Sequence, residues 1–469
     1  MRRQKELADL KSQVHLFTAD GLFLAFDVNS GSLYNLDEVA WEMLLHYFEN
    51  GDWEEARLST TRRYGSKKAD EASAELQELA ASGFLFSSGE EWPHYVPGSE
   101  LGLKALCLNI AHECNLACKY CFVPENVRAQ EKIMSRETIM AALDLLIRET
   151  PYQYLTVDFF GGEPLLNFEG IKFAVEYALQ HGAHKKWKFT VSTNTLLLGE
   201  EELSFLKKHD FSFVLSCDGR PRVHDAYRVT PGGCGTSEIV EGRIREFLKA
   251  GAAPEYYVRG TYTRNNLDFS EDFLYLADLG AESISLEPVV APSSAPYALR
   301  EADLPEVQAE YYRLARVMRE LERRGRSVSF YHYALDLSGG PCVAKRLTGC
   351  GAGYQYLAVT PAGEIYPCHQ LVGHREYLMG DVFRGITNLQ LRERLQEAHV
   401  FRKEECSSCW ARFLCGGGCH AQAVLNGGDL LHPSPLYCAI MRARLQGALY
   451  YLALQENADH KNNHMPSSA

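Results

Sequence analysis

The feature that most constrains this chain is a short loop, AHECNLACKYCF, which follows the apolar run KALCLNI. It places Cys114, Cys118 and Cys121 in a CxxxCxxC spacing, so three thiolates can converge on one metal centre. Structural zinc sites and four-iron clusters usually take four protein ligands. Three ligands therefore leave one metal position open, as a catalytic site requires. The competing interpretation is a structural Cys3His zinc site completed by His112.

Length, charge and cysteine usage narrow the functional classes. A chain of 469 residues predicts about three domains. The net charge of −13 and the absence of a Lys/Arg cluster argue against a nucleic-acid partner. No apolar run approaches the roughly 18 residues of a membrane span, and the N-terminus is too polar for a secretory signal. Fourteen cysteines, clustered in CxxC-type spacings, favour metal ligation in a reducing cytoplasm over disulfides.

Residues 1–95 are predicted to form a small separate domain. The runs VHLFT, LFLAFDV and SLYNL, separated by turn signals, predict three strands. Asp37 can cap a helix through VAWEMLLHYFEN, and the stretches EEARLSTTRRYG and ADEASAELQELAASG predict two more helices before a short strand-like FLFS. This order is winged-helix-like. Lys and Arg dominate none of the helices, which disfavours a DNA-binding wing. Residues 89–100 have the composition of a linker.

Strand and helix patterns alternate through the next region, 101–330. Six apolar runs predict strands: KALCLNI, LTVDFF, KFTVST, FSFVLSC, YYVRGTY and ESISLEP. Helical patterns such as SRETIMAALDLLIRE and SEIVEGRIREFLKA lie between them. Six β/α units indicate an α/β fold with a parallel barrel or partial barrel. In such folds the chemistry lies at the carboxyl ends of the strands, and the cysteine loop follows the first strand.

Polar residues follow the other strands as well. The candidates are Gly161, Gly162 and Glu163 after the second strand, Ser192 and Asn194 after the third, and Ser216 and Asp218 after the fourth. Arg228 and Arg259 are candidate partners for a carboxylate through charge-assisted hydrogen bonds. The plainer interpretation of these residues is turn glycines, helix caps and structural ion pairs. Cys107 and Cys217 lie within apolar strands and are predicted core residues, whereas Cys234 has no assigned role.

Cysteines dominate the third region, 331–455. They are Cys342, Cys350, Cys368, Cys406, Cys409, Cys415, Cys419 and Cys438. The central CxxCx5CxxxC spacing, with further cysteines on both sides, indicates metal binding, and its plainer interpretation is a pair of zinc ribbons. Residues 456–469 are polar and are predicted to form a disordered tail.

The cysteine loop, with Tyr120 before its last cysteine, resembles the motif of radical S-adenosylmethionine (SAM) enzymes. The resemblance implies that Cys114, Cys118 and Cys121 hold a [4Fe-4S] cluster whose free iron binds SAM. Reductive cleavage of SAM then yields a 5′-deoxyadenosyl radical. DFFGGEP resembles the family's GGE motif, which implies that Gly161, Gly162 and Glu163 meet the SAM amino group. By the same resemblance, SAM-binding positions are Tyr120, Ser192, Asn194, Ser216 and Arg228.

The C-terminal cysteines resemble a SPASM domain, which carries two auxiliary [4Fe-4S] clusters. The resemblance implies three clusters in all. It assigns Cys406, Cys409, Cys415 and Cys438 to the distal auxiliary cluster, and Cys350, Cys368 and Cys419 to the proximal one. Cys342 would be the fourth proximal ligand, or else that cluster keeps an open iron for a substrate thiolate. The N-terminal domain resembles the peptide-recognition domain of ribosomal-peptide maturases, which binds a leader peptide as an added strand.

Stretches such as ALCLNIAHECNLACKYCF, VDFFGGEPLLNF and GGPCVAKRLTGCG resemble one subfamily, the maturases of SCIFF peptides. This resemblance implies formation of an intrapeptide thioether between a Cys sulfur and a carbon of another residue, often Thr. The implied partners are a small Cys-rich precursor peptide, bound through its leader, and an electron donor such as flavodoxin or ferredoxin. The alternatives are another SPASM enzyme, such as a sulfatase-maturing oxidase, a peptide epimerase or a carbon–carbon crosslinker, and a non-catalytic metal-stabilised peptide-binding protein.

Overall fold

A computed structural model describes residues 10–88, 102–129, 132–251, 253, 255–337, 343–426 and 428–463. The predicted metal ligand Cys342 lies outside these residues. Within them, no helix combines the length and the apolar character needed to cross a bilayer.

The N-terminal domain has the predicted three strands followed by three helices. The elements are β1 (Val14–Ala19), β2 (Leu22–Asp27), β3 (Leu33–Leu36), α1 (Glu38–Asn50), α2 (Trp53–Tyr64) and α3 (Ser66–Ala81). The strands pair antiparallel in the order β1-β2-β3. Asp37 caps α1 as predicted, because its carboxylate accepts a 2.8 Å hydrogen bond from Ala40 N. The expected strand over FLFS is wrong: residues 84–86 form bends, and Ser87 has no regular secondary structure.

The sheet of this domain has two buried faces. Phe17, Leu24 and Phe26 belong to the main core of the molecule, whereas Val14 and Ala25 pack with α1 in a smaller core of the domain's own. Successive side chains of a strand point to opposite faces, so one short sheet can contribute to both cores. The domain is therefore fused to the rest of the protein through apolar packing.

The central region contains the six predicted parallel strands in sequential order. These are β4 (Ala105–Ala111), β5 (Tyr154–Gly161), β6 (Lys186–Thr193), β7 (Ser212–Ser216), β8 (Tyr256–Tyr262) and β9 (Ser283–Pro288), and a two-residue strand, β10 (Ser329–Phe330), follows them. The helices are α4 (Glu125–Arg128), α5 (Arg136–Glu149), α6 (Phe168–His181), α7 (Glu200–Lys208), α8 (Pro221–Tyr227), α9 (Ser237–Lys249), α10 (Phe269–Asp278) and α11 (Leu304–Arg323). The partial barrel expected from six β/α units is confirmed. Cys107 and Cys217 are buried in its core, as predicted, and Cys234 is exposed.

The cysteine-rich region extends the barrel sheet. Its first strand, β11 (Tyr356–Val359), pairs in parallel with β4. The strands β12 (Glu364–Tyr366), β13 (Gly380–Asp381) and β14 (Gly385–Ile386) follow antiparallel, which gives one sheet of eleven strands. The sequence pattern did not predict this pairing of β11 with β4. After β12, the ring of His369 packs near Phe122 of the loop that follows β4, with ring centres 5.8 Å apart.

Six helices complete the region. They are α12 (Val343–Thr348), α13 (Leu389–Glu397), α14 (Glu404–Ser407), α15 (Arg412–Cys415), α16 (His420–Leu425) and α17 (Pro435–Asn463). The long helix α17 packs against α11. Because α17 continues to Asn463, the prediction of a disordered tail starting at residue 456 is wrong for residues 456–463.

Candidate active site

The cysteine loop begins at the carboxyl end of β4, and its three thiols line one cavity. Two backbone hydrogen bonds fix its course, from Ala117 N to Val229 O (2.8 Å) and from Lys119 N to Tyr227 O (2.9 Å). Burial raises the pKa of Cys114 to about 12, and Cys118 and Cys121 add to the increase. The three thiols are therefore close enough to act on one another. Coordination to iron would deprotonate them despite this burial.

Backbone contact with the turn after β5 positions the loop. Gly162 N donates to Ala111 O, and Glu163 N donates to Glu113 O, each at 2.8 Å. A Cβ atom on Gly162 would overlap Glu113 O, and one on Gly161 would overlap Ala111 O. Gly161 also has a φ of 131°, which L-residues rarely adopt. The two glycines are therefore required so that these two loops can lie against each other.

Glu163 has a different environment from the one that the resemblance implied. It is fully buried, and its carboxylate accepts hydrogen bonds from Thr193 Oγ1 (2.7 Å), Asn194 N (2.7 Å) and Leu165 N (3.1 Å). Burial raises the pKa of Glu163 to about 7, although these three donors oppose the increase. The side chain ties the end of β5 to the end of β6 and is not among the residues that line the cavity. Its contact with SAM stays a prediction.

Asp218 organises the opposite wall of the cavity. Its side chain is buried, and Oδ1 accepts hydrogen bonds from Arg228 Nε (3.0 Å) and Thr261 N (2.9 Å). The Tyr120 hydroxyl donates to the other carboxylate oxygen. The Arg228 guanidinium also lies 5.6 Å from the centre of the Tyr120 ring. Asp218 thus holds the Tyr120 ring of the cysteine loop and the Arg228 guanidinium next to each other.

Nearly all the sequence-predicted polar residues lie at this cavity. It is lined by Cys114, Cys118, Cys121, Tyr120, His112, Gly161, Gly162, Ser192, Asn194, Ser216, Arg228 and Arg259. Asn194 also approaches the loop directly: its Nδ2 donates to Asn115 Oδ1 at 2.6 Å. The carboxyl ends of β4 to β8 therefore meet at one mouth, as a parallel barrel requires.

Sequence reasoning missed several lining residues. His369 and Gln370 come from the cysteine-rich region, and Glu287 is the second-last residue of β9. The only sequence signal for His369 was its position directly after Cys368. Glu287 lies in a buried charge network that includes Arg444 Nη1 at 3.1 Å and His332 Nε2 at 2.9 Å. Burial disfavours its ionisation, but these two partners hold the pKa of Glu287 well below its usual range. Arg259 also belongs to this network, because its Nη2 lies 4.0 Å from Glu287 Oε1.

The remaining described cysteines fall into two sets. Cys406, Cys409, Cys415 and Cys438 line one cavity. Cys368 is partly buried, which raises its pKa, and the thiols of Cys419 and Cys350 raise it further. The structure therefore brings together the four residues assigned to the distal cluster and the three described residues assigned to the proximal one. Because His369 and Gln370 line the active-site cavity, the proximal set adjoins that cavity.

The ligand chemistry of both C-terminal sets is that of cysteine thiols, which are the usual ligands of iron–sulfur clusters. No described cysteine forms a disulfide. Both ring nitrogens of His112 are buried without a hydrogen-bond partner among the described residues.

Comparison with known families supports this interpretation. A model of the radical SAM superfamily matches residues 108–242, and a model of the SPASM iron–sulfur cluster-binding domain matches residues 350–410. The mycofactocin maturase MftC of Mycobacterium ulcerans is 27% identical over 355 residues, covering 73% of this chain and 90% of MftC. The AdoMet-dependent heme synthase of Oleidesulfovibrio alaskensis is 23% identical, covering 75% of this chain and 91% of that protein.

Two solved structures share the fold. The structure of anSMEcpe with bound AdoMet and the Kp18Cys peptide matches with a TM-score of 0.62 and 21% identity, covering 76% of this chain and 99% of that one. Streptococcus suis SuiB bound to the precursor peptide SuiA matches with a TM-score of 0.53 and 16% identity, covering 91% and 98%. A partial barrel with a three-cysteine loop and an appended iron–sulfur domain defines the class of SAM-cleaving radical proteins. The chain therefore carries a radical SAM domain and, C-terminal to it, a SPASM domain.

Proposed function

We propose that this protein is a radical SAM maturase that installs an intrapeptide thioether in a small, ribosomally made, Cys-rich precursor peptide. The observation that carries the proposal is the position of Cys368, whose neighbour His369 lines the same cavity as Cys114. A peptide in that cavity would lie between a radical-generating site and a thiol set that can hold an auxiliary cluster. The proposal adopts the domain division 1–95, 101–330 and 331–455, and it assumes a reducing cytoplasm, in which free thiols persist.

The residues of the cavity have distinct tasks in this proposal. Cys114, Cys118 and Cys121 hold the first cluster, which with SAM supplies a 5′-deoxyadenosyl radical when both are bound. The polar strand ends, including Ser192 and Ser216, bind and orient SAM, and Asp218 keeps Tyr120 and Arg228 in place beside it. The strand ends and the cysteine-rich region enclose the cavity and exclude water from the reacting atoms. A small electron-transfer protein, such as flavodoxin or ferredoxin, would supply electrons.

The two C-terminal thiol sets would hold the auxiliary clusters, which makes three clusters in all. Cys342 is the proposed fourth ligand of the proximal cluster. Electron paramagnetic resonance of the reduced Cys342→Ala variant tests this assignment. A changed auxiliary signal without peptide would support ligation. A signal identical to that of the wild type, which changes only when peptide is added, would support an open site for the peptide thiol instead.

Recognition of the leader peptide is assigned to the N-terminal domain. Its sheet ends in the edge strand β3, and an edge strand can accept an added peptide strand. Hydrogen–deuterium exchange of the whole protein tests this, with and without the precursor peptide. We expect protection of residues 33–36 by the full precursor and none by a leaderless control peptide. Protection elsewhere only would contradict a role for β3.

The reaction itself is tested by co-expression with a candidate precursor, namely any small Cys-rich peptide found to be encoded beside the gene. Co-expression should give a peptide that is lighter by two hydrogens and has one fewer cysteine open to alkylation, since a thiol and a carbon–hydrogen bond become one carbon–sulfur bond. An unchanged mass with an inverted residue would indicate an epimerase. A two-hydrogen loss with every cysteine still alkylated would indicate a carbon–carbon crosslink, and a cysteine converted to an aldehyde would indicate sulfatase-type maturation.

A further inference from the structure

A lysine, Lys403, is fully buried in the cysteine-rich region. Its ammonium donates one hydrogen bond, to Gly417 O at 2.6 Å. Among the described residues, it forms no ion pair with a carboxylate. Burial lowers the pKa of Lys403, and thiolates at Cys406, Cys415, Cys419 and Cys438 would oppose that change. An ammonium with three donors and no anionic partner is costly to bury. The burial of Lys403 therefore indicates that negative charge lies close to it.

The surrounding backbone is built around this side chain. Gly416, Gly417 and Gly418 have φ values of 69°, 84° and 77°, which only glycine adopts readily. A Cβ atom on Gly417 would stand 3.4 Å from Lys403 Nζ. The three-glycine turn, which joins Cys415 to Cys419, therefore contacts the ammonium at Gly417. These two cysteines belong to different thiol sets, so the turn and Lys403 lie where the two sets adjoin.

We propose that Lys403 is the shared counter-charge of the two auxiliary clusters and sets the reduction potentials of both. Thiolate-ligated clusters carry net negative charge, and net charge and hydrogen bonding set their potentials. A fixed cation between two such clusters stabilises the reduced form of each, because reduction adds negative charge in a poorly screened interior. The inference rests on the proposed occupancy of both thiol sets by clusters, and not on the formation of a thioether.

The test compares Lys403→Met, which removes the charge at similar length, with Lys403→Arg, which keeps it. Both are made in the Cys114→Ala, Cys118→Ala, Cys121→Ala background, so that redox titrations followed by electron paramagnetic resonance report the auxiliary clusters alone. We expect Lys403→Met to shift both potentials to more negative values and Lys403→Arg to remain near the parent. Lys207→Met, which removes a remote lysine that bonds Ala250 O, is the matched control and should shift neither.

Loss of auxiliary iron from Lys403→Met but not from Lys403→Arg would also support the proposal, because cluster assembly would then need the charge. Unchanged potentials at full iron content would overturn it. Equal effects of both variants would overturn it in favour of a packing role, and a shift of one cluster only would overturn the shared position. Absence of auxiliary iron from the parent protein would overturn both this inference and the cluster assignment.

Discussion

The cysteine loop and the two C-terminal thiol sets are built in opposite ways. The first takes its three cysteines from one loop of eight residues, 114–121, whereas the others collect theirs from 350–438. The short loop nevertheless depends on distant backbone: the Gly161–Gly162 turn and residues Tyr227 and Val229 fix its course. The auxiliary sets depend on one another, since Cys415 and Cys419 are joined by a three-glycine turn. Ligands that lie close together in sequence therefore do not imply that nearby residues alone determine the geometry of the site.

The largest effect should come from removing the cysteine loop's thiols. In Cys114→Ala, Cys118→Ala, Cys121→Ala we expect no formation of 5′-deoxyadenosine, together with retention of the auxiliary iron, because the two kinds of site have separate ligands. Iron analysis and product detection by chromatography measure both. Replacing Cys107 and Cys217 by Ala is the matched control, since these core thiols should change neither result. Normal SAM cleavage by the triple variant would contradict the assignment.

A second prediction tests how far the loop relies on the turn after β5. Gly162→Ala would force a Cβ against Glu113 O, so one of the two loops must move at a cost of about 1–3 kcal/mol. We expect SAM cleavage to fall by about tenfold or more, with the auxiliary iron unchanged. Gly242→Ala, in α9 with nothing near its Cβ position, should leave the rate intact. Equal rates for both variants would show that the spacing of the cysteines alone defines the site.

The sequence predicted the site around the cysteine loop more fully than it predicted the C-terminal thiol sets. The CxxxCxxC spacing and the strand-end rule were enough to bring Cys114, Gly162, Ser192 and Ser216 to one cavity. The pairing of β11 with β4 was not predictable, because parallel pairing across more than 200 residues leaves no local pattern. For the same reason His369 was missed. Membership of the auxiliary sets followed only from a family resemblance, since spacing does not reveal which distant cysteines share a cluster.

A third prediction concerns the pH dependence of stability that follows from Glu163, which links the ends of β5 and β6. The folded-state pKa of Glu163, about 7, lies above the unfolded value of about 4.3. The folded protein therefore binds the proton more tightly, and the free energy of unfolding should fall by about 3 kcal/mol as pH rises between these values. Denaturant midpoints at pH 5 and pH 8 measure this. Glu163→Gln should show a smaller difference between the two pH values, and the exposed control Glu176→Gln should match the wild type. An unchanged pH dependence in Glu163→Gln would contradict the raised pKa.

The smallest effect concerns how the distal thiol set joins the N-terminal domain. Arg412, between Cys409 and Cys415, donates from Nη1 to Ser12 O and from Nη2 to Asn29 Oδ1, each at 3.0 Å. Arg412→Lys keeps the charge but loses the planar fork, so one charged hydrogen bond, worth about 1.5–3 kcal/mol, should be lost. We expect hydrogen exchange in β1 and β2 to accelerate by about tenfold. Arg57→Lys, whose partners Glu54 and Asp70 lie within the N-terminal domain, is the control without this contact. If exchange is equally slow in both variants, apolar packing alone holds the domain to the auxiliary region.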